Sequence, residues 1–236
     1  MALRQRDYWD NHYEEELKNF QDDGDEGEIW FGKGLTRKIV AWINKRIQDS
    51  EPSTCKHAVI DVGCGNAFLL TSLVLDAVRL ALDNISVLGL DYSHNSIELS
   101  RKIVQSKGLE DKISLKECDF LSLSQLKSVT ENKKFDFIID KGTLDAICLI
   151  ASDSDDHLEE VRKKYVESLR ALLTRGTIFI LASCNHTEHE LVALLQGQDS
   201  FGLSHDFQVI DRIETPKLQF GGREGSQVCC LIIQFV

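Results

Sequence analysis

Short apolar segments alternate with amphipathic ones along most of this chain. The first amphipathic helix is predicted before residue 50, because apolar residues recur every four positions there: Leu35, Ile39, Ile43 and Ile47. Five apolar runs of strand length follow, at Ala58–Val62, Ser86–Leu90, Ile113–Cys118, Phe135–Ile139 and Thr177–Ala182. Helical patterns occur between and after them, at about Phe68–Leu82, Ser93–Lys107, Leu158–Leu172 and Glu188–Leu195. Two last strand-like runs, Phe207–Glu214 and Val228–Phe235, have no helix between them and predict an antiparallel hairpin with a long loop.

This rhythm predicts an α/β fold. Repeated strand–helix units favour a Rossmann-like, doubly wound sheet of seven strands, mostly parallel, with helices on both faces and the antiparallel hairpin at its C-terminal end. We find no internal repeat and no linker of distinct composition. One domain is therefore predicted over residues 35–236.

The segment 1–34 differs from the rest of the chain. Between Glu14 and Glu28 it has eight acidic residues and one lysine. Its aromatic residues predict that it packs on the domain: Tyr8, Trp9, Tyr13, Phe20, Trp30 and Phe31. Two interpretations of the acidic run stay open, a solvated face and a docking surface for a basic partner.

Charge and hydropathy exclude several function classes. The 236 residues include 27 Lys+Arg against 38 Asp+Glu, a formal net charge of -11, which argues against direct nucleic-acid binding and favours a basic protein partner. The longest apolar run, near Leu73–Leu82, contains Asp76 and Arg79 and does not suit a bilayer. The first twenty residues lack an apolar signal core, so we expect a cytoplasmic location, with a nuclear one also compatible.

Cysteines and histidines predict no metal site. The seven cysteines are scattered and show no zinc spacing, so we interpret them as reduced core thiols. The seven histidines show no metal spacing either, and we interpret all of them as surface or structural residues.

Acidic residues mark the ends of four predicted strands: Asp61, Asp91, Asp119 and Asp140. Ligands of open parallel sheets bind outside the carboxyl ends of the strands, so these acids are site candidates. The turn Gly63-Cys64-Gly65 lies between the first strand and the next helix, where its glycines allow close approach of a ligand. A dinucleotide fingerprint needs Gly or Ala at position 68, which is Phe68, and the P-loop lysine is also missing.

The chemistry of these acids suits S-adenosylmethionine. Asp61 precedes the first glycine and suits an ammonium group better than a pyrophosphate. Asp91 can accept hydrogen bonds from two ribose hydroxyls, Asp119 can accept from the adenine amino group, and the Phe120 ring can pack on the base. The predicted cofactor-binding residues are Trp30, Asp61, Gly63, Cys64, Gly65, Asp91, Tyr92, Asp119 and Phe120.

Three sequence runs, VIDVGCGNAFLL, GLDYS and ECDFL, resemble class I S-adenosylmethionine-dependent methyltransferases. The third glycine that is common in that turn is Ala67 here, a mild departure. Further motifs resemble the lysine methyltransferases of translation elongation factor 1-alpha, most closely the group called lysine methyltransferase 2. They lie at residues 8–13, 27–32, 140–146, 183–185 and 215–223. The resemblance implies cytosolic trimethylation of one lysine on a basic, RNA-binding protein.

The residues after the fourth strand support a lysine substrate independently. Enzymes that methylate adenine or amide nitrogens on this fold usually carry an Asn/Asp-Pro-Pro-Tyr/Phe motif there, whereas this chain has Asp140-Lys141-Gly142-Thr143. A lysine has a free pKa of roughly 10.4 and must lose a proton before it attacks a methyl group. Asp140 is the predicted catalytic residue, which would hold and orient the ammonium, and Asn185 is the substrate-binding candidate.

Other functions stay open at this point. They are a methyltransferase for a small molecule or another protein, a catalytically silent scaffold of the same fold, and a nicotinamide-dependent oxidoreductase. Asp61 and Phe68 count against the last. Trp30 has two interpretations, closure over the cofactor or attachment of the N-terminal segment to the core. We expect a monomer.

Overall fold

The computed structural model describes residues 6–50, 56–82, 84–151, 154–196, 206–215, 217–220 and 223–236. Cys55 and the Pro216, Gly221 and Gly222 positions of the last motif lie outside these residues.

Helices and strands alternate through most of the described chain. The helices are α1 (Arg6–Asp23), α2 (Gly32–Gln48), α3 (Phe68–Arg79), α4 (His94–Ser106), α5 (Leu123–Thr130), α6 (Thr143–Ile150), α7 (Asp155–Leu172) and α8 (Glu188–Gln196). The strands are β1 (His57–Val62), β2 (Ile85–Asp91), β3 (Ile113–Glu117), β4 (Phe137–Lys141), β5 (Ile178–Ser183), β6 (Phe207–Arg212), β7 (Lys217–Phe220), β8 (Arg223–Ser226) and β9 (Cys229–Phe235). No helix in the described ranges is both long and apolar enough to cross a membrane.

Seven strands form one sheet in the order β3-β2-β1-β4-β5-β9-β6. The first five in this order are parallel, whereas β9 is antiparallel to both β5 and β6. This arrangement confirms the predicted fold class. The strand order reverses beside β1, which pairs with β2 on one side and with β4 on the other, so the carboxyl ends of these strands flank a crevice.

Two hydrophobic clusters cover the two faces of the sheet. Alternate residues of the central strands point to opposite faces, as Val59 and Ile60 of β1 do. The Val59 side is covered by α2 and α3, represented by Ile39 and Leu70. The Ile60 side is covered by α7 and α8, with Tyr165 fully buried.

The structure differs from the sequence prediction in its smaller elements. The helices α5 and α6 were not predicted, and a separate two-stranded sheet, β7 with β8, lies within the predicted long loop. The α6 sequence TLDAICLI is apolar almost all round, so it carries no clear helical period. Strand β4 runs to Lys141 instead of ending at Ile139, because its pairing with β5 continues beyond the apolar run, with Asp140 opposite Leu181.

The N-terminal segment lies against α4. Trp9 and Tyr13 of α1 are buried with Leu99 and Ile103 of α4 in a third hydrophobic cluster. Polar contacts add to this packing, since the Ser93 hydroxyl donates to the Asp10 carboxylate over 2.5 Å. Helix α2 already begins at Gly32, and the division between a segment 1–34 and a domain 35–236 stays a prediction.

Candidate active site

A cavity of about 280 Å³ opens at the carboxyl ends of the central strands. Eight of the nine predicted cofactor residues line it: Trp30, Gly63, Cys64, Gly65, Asp91, Tyr92, Asp119 and Phe120. Asp61, Asp140 and Asn185 are not among the lining residues. The fold therefore brings most of the predicted cofactor site together, and places the predicted catalytic and substrate residues outside its lining.

The glycine turn after β1 needs glycine at both predicted positions. Gly63 has φ 70° and Gly65 has φ 56°, in the left-handed region that favours glycine. A Cβ at Gly63 would collide with the side chain of Thr143, and one at Gly65 would lie 2.6 Å from the Tyr13 hydroxyl. Ala67 also adopts a left-handed conformation, φ 55°, which a glycine would adopt without strain. The turn is thus packed from two sides, by α6 and by α1.

Asp91 joins the end of β2 to this turn. Its carboxylate accepts hydrogen bonds from the backbone N–H of Gly65 and that of Ser93, each over 3.0 Å. Burial raises its pKa, and the hydrogen bonds from Ser93 and Gly65 act in the opposite direction. Each carboxylate oxygen has a second lone pair, so the side chain can still accept from hydroxyl groups in the cavity.

The segment before α2 closes one side of the cavity. Asn66, beside the glycine turn, donates to the carbonyl oxygens of Glu26 and Glu28 over 2.8 and 3.1 Å. Two residues beyond Glu28, Trp30 lines the cavity and packs edge-on against Trp9, with ring centroids 4.9 Å apart. Both indole N–H groups are buried and have no hydrogen-bond partner among the residues that the structure describes. Two unsatisfied donors on one wall point to a ligand with acceptor atoms.

Lys141 extends the cavity wall at the end of β4. Its ammonium donates to the Trp30 carbonyl over 3.1 Å and lies 5.9 Å from the centre of the Phe31 ring. Burial lowers its pKa, and the neighbouring carboxylates of Asp61 and Asp140 partly compensate. Asp61 itself is 2% exposed, and burial raises its pKa to about 7 although the Lys141 charge lowers it.

Asp140 lies at the carboxyl end of β4, where the sequence places it, but its side chain is fully buried. Its carboxylate accepts from the backbone N–H of Thr143 over 2.8 Å, from that of Leu144 over 3.1 Å and from the Tyr165 hydroxyl over 2.6 Å. Thr143 and Leu144 are the first residues of α6, which follows β4 almost directly. The Asp140 carboxylate therefore fixes the first turn of that helix to the end of the strand. Burial raises the pKa of Asp140 to about 7. In this structure the carboxylate acts on the helix and not on the cavity.

A buried ion pair connects α6 to the loop after β5. The Asp145 carboxylate accepts from the Ser183 hydroxyl over 2.5 Å and from the Cys184 backbone N–H over 2.7 Å, and it lies 3.2 Å from Nδ1 of His186. The Asp145 hydrogen bond raises the pKa of His186 to about 9. Burial opposes ionisation of Asp145, but the hydrogen bonds from His186, Ser183 and Cys184 outweigh it and lower its pKa. His186 is therefore a structural cation, which agrees with the structural role predicted for the histidines.

Asn185 lies in the loop that this ion pair fixes. It is exposed, and its backbone N–H donates to the Ser183 hydroxyl over 3.3 Å. Its position at the carboxyl edge of the sheet leaves it accessible from outside, and its role toward a substrate stays a prediction.

The described cysteines form no disulfide. Those at 64, 118, 148 and 230 are buried, whereas Cys184 is exposed, so the interpretation as core thiols does not extend to Cys184. Within the same part of the chain, no three His, Cys, Asp or Glu side chains are grouped as a metal site would require.

Comparisons with known proteins agree on one family. A family model described as a methyltransferase domain matches residues 54–220. The human EEF1A lysine methyltransferase 2 is 38% identical over 233 residues, which are 99% of this chain and 86% of the relative. This chain belongs to the EEF1A lysine methyltransferase family. Protein-lysine N-methyltransferase efm4 of Schizosaccharomyces pombe is 33% identical over 235 residues, which cover 98% of this chain and 93% of that relative.

Solved structures agree on the fold. Magnesium protoporphyrin IX methyltransferase from Synechocystis, with bound SAH, superposes with a TM-score of 0.57 at 15% identity, and 98% of each chain is covered. At this identity the likeness concerns the fold alone. The likeness confirms the class I methyltransferase fold. The enzyme class, protein-lysine N-methyltransferase, is confirmed by the family model and the curated relatives.

Four residues that shape the site were not predicted from the sequence. Asn66, Lys141, Asp145 and His186 act through contacts between distant elements, such as the 3.1 Å bond from Lys141 to Trp30. The motif resemblance at 140–146 includes Lys141 and Asp145 and could have pointed to them. Nothing in the spacing of His186 indicated its partner.

Proposed function

We propose that this enzyme transfers the methyl group of S-adenosylmethionine to a lysine side chain of translation elongation factor 1-alpha. The observation that carries the proposal is the cavity at the strand ends, which joins the Gly63–Gly65 turn, Asp91 and Asp119 in a chain of this family. The net charge of -11 suits a basic protein substrate.

The residues of the cavity fit this cofactor. Asp91 would accept from the ribose hydroxyls and Asp119 from the adenine amino group, with Phe120 against the base. The unpartnered indole N–H groups of Trp9 and Trp30 would donate to acceptor atoms such as a carboxylate. Asp61 lies outside the lining, so we propose that it acts on the cofactor by fixing Lys141 in place rather than by direct contact.

The bound cofactor supplies a methyl carbon activated by a sulfonium. The chain has to orient a lysine amine, exclude water and favour the loss of one proton from that amine. Lys141 indicates how the last requirement is met, because burial at this cavity lowers the pKa of its own ammonium group. Burial of a substrate lysine in the same cavity would lower its pKa by the same cause, and its neutral form would become more available.

Asp140 would contribute as a positioning residue. Through Thr143 and Leu144 it fixes the start of α6, and Thr143 in turn donates to the Val62 carbonyl over 2.6 Å at the glycine turn. Loss of the carboxylate would loosen the wall between the cofactor and the substrate entrance. Asn185 would contact the substrate protein at that entrance.

The test is methylation of purified elongation factor 1-alpha by the purified enzyme with labelled S-adenosylmethionine, followed by mass spectrometry of the product peptides. We expect label on one lysine, dependence on both proteins, and at least tenfold less label with Asp91→Ala at low cofactor concentration. If elongation factor 1-alpha stays unmodified and another protein is labelled when a cell lysate is added, the proposed substrate is wrong. The enzyme class would be unaffected by that result.

We further propose that the enzyme works as a cytoplasmic monomer. Light scattering coupled to size-exclusion chromatography should give a mass near 26.7 kDa. A stable dimer at the concentrations used for activity assays would contradict this.

A further inference from the structure

In the described part of the chain, one lysine and no arginine lines the active-site cavity. This residue is Lys141, at the end of β4, whereas Glu28, Asp91 and Asp119 give the lining three acidic side chains. A ligand with a carboxylate would be repelled along most of this cavity and attracted at Lys141. The position of this cation therefore indicates where an anionic group of a ligand binds.

The Lys141 ammonium has more donors than the structure uses. An ammonium group has three N–H donors, and this one donates to the Trp30 carbonyl oxygen over 3.1 Å. The carboxylates of Asp61 and Asp140 act on it through their charge alone, and no carboxylate of the described ranges is within ion-pair distance of its Nζ. A partly buried cation of this kind favours a ligand that brings its own negative charge.

The sheet places Lys141 on the far side of the glycine turn from the predicted adenosine contacts. In the strand order β3-β2-β1-β4, Asp119 follows β3, Asp91 ends β2 and Lys141 ends β4. Asp140 is opposite Val62 in the pairing of β4 with β1, so Lys141 adjoins the start of the glycine turn. A cofactor with its adenine at Asp119 and its ribose at Asp91 would extend across this turn. Its amino-acid end would then reach Lys141.

We propose that Lys141 binds the α-carboxylate of S-adenosylmethionine and makes the enzyme selective for cofactors that carry this group. The inference rests on the proposed function for the identity of the cofactor, but not for the identity of the protein substrate. The ammonium would keep its bond to the Trp30 carbonyl and give a second N–H to the carboxylate, as a charge-assisted hydrogen bond. Asp61 would keep the ammonium charged, because its carboxylate raises the pKa of Lys141 against the effect of burial.

The test measures how strongly the enzyme prefers a ligand with the carboxylate. Calorimetry of the full chain would use three ligands. They are S-adenosylhomocysteine, its decarboxylated analogue, which keeps the amine, and methylthioadenosine, which lacks the whole amino-acid end. We expect the wild type to bind S-adenosylhomocysteine at least tenfold more tightly than the decarboxylated analogue, since the analogue loses a charge-assisted contact.

Two lysine variants separate recognition of the carboxylate from attachment of the segment before α2. Lys141→Met removes the ammonium, and Lys107→Met is the control, because Lys107 pairs with Glu26 of that segment and lies outside the described lining of the cavity. A loosened Trp30 would weaken all three ligands alike. We therefore expect Lys141→Met to lower the ratio of affinities for S-adenosylhomocysteine and its decarboxylated analogue about tenfold, and Lys107→Met to keep the wild-type ratio.

Two results with Lys141→Met would overturn the proposal. One is an equal loss of affinity for all three ligands, which would mean that Lys141 acts only through the Trp30 carbonyl. The other is an unchanged preference for S-adenosylhomocysteine. A wild type that binds none of the three ligands would refute the proposed cofactor itself, and this proposal with it.

A second variant covers the case in which Lys141→Met does not fold. Loss of Lys141 alone leaves the buried carboxylates of Asp61 and Asp140 without their cation, which is destabilising. The double variant Lys141→Met with Asp61→Asn removes one charge of each sign, and thermal melting would verify that it is folded. We expect the same tenfold fall in the affinity ratio. A wild-type ratio in this double variant would also overturn the proposal.

Discussion

Replacement of His186 by Asn tests the buried ion pair that fixes the loop after β5. The Asn amide can reproduce the hydrogen bond that Nδ1 of His186 makes toward Asp145, but it carries no charge. Asp145 would keep its donors Ser183 and Cys184 and lose its cation. The variant therefore isolates the electrostatic part of the contact.

The pKa of His186 sets the size of the effect. Its rise from an ordinary 6.5 to about 9 corresponds to roughly 3 kcal/mol of favourable interaction of the charged form, and both side chains of the pair are at least nine-tenths buried. The retained hydrogen bond offsets part of the loss, so we expect the free energy of unfolding to fall by about 2 kcal/mol at pH 6. For a chain of this size the melting temperature should fall by about 4–8 °C.

The pH dependence gives the sharper test. Because the folded-state pKa of His186 is raised, its stabilisation is fully present below pH 6.5 and is lost as the pH rises toward 9. Asp145 must also be ionised, which holds throughout this range because its pKa is lowered. Urea unfolding of wild type and variant at pH 6, 7 and 9.5 should show a difference that is largest at pH 6 and small at pH 9.5.

Two results would refute this reasoning. One is a difference in unfolding free energy that is the same at pH 6 and pH 9.5, and the other is a variant as stable as wild type at pH 6. His189→Asn, at an exposed position of α8, is the matched control and should change stability little at any pH.

Other predictions concern the cofactor site and the thiols. Asp91→Ala should weaken S-adenosylmethionine binding at least tenfold by calorimetry, and unchanged affinity would contradict the assignment. Gly63→Ala should lower the melting temperature more than Gly108→Ala, because both positions have positive φ but only Gly63 faces a collision with Thr143. Equal losses would argue against the collision. Asp140→Asn should retain cofactor binding and lower turnover roughly 10²-fold. The loss should be smaller at pH 6 than at pH 8, because Asp140 has a pKa of about 7. Normal turnover of this variant at pH 8 would contradict the positioning role of Asp140. Native mass spectrometry should find seven free thiols and no zinc, and a stoichiometric metal would overturn that prediction.

Local pattern determined the architecture of the sheet. Apolar runs of strand length predicted the five parallel strands, and the lack of a helix between the last two runs predicted their antiparallel pairing, which β6 and β9 have. These features depend on which face of a strand or helix is buried. The spacing of apolar and polar side chains along the sequence indicates that face directly. The glycine turn and Asp91 could be predicted for the same reason, since their function depends on their place at a strand end.

Only the tertiary structure decided what faces the cavity. Asp140 and Asp91 both follow an apolar run, yet only the Asp140 side chain points into the protein. Helix α6 begins three residues after Asp140, and the free backbone N–H groups at the start of that helix need the Asp140 carboxylate as an acceptor. Asp145 and His186 meet across 41 residues, and Asn66 holds a carbonyl 40 residues away. Such partners are chosen by the packing of distant elements, and the free energy of a buried charge depends on the partner it finds there. The amino-acid sequence alone does not show which distant residues come into contact.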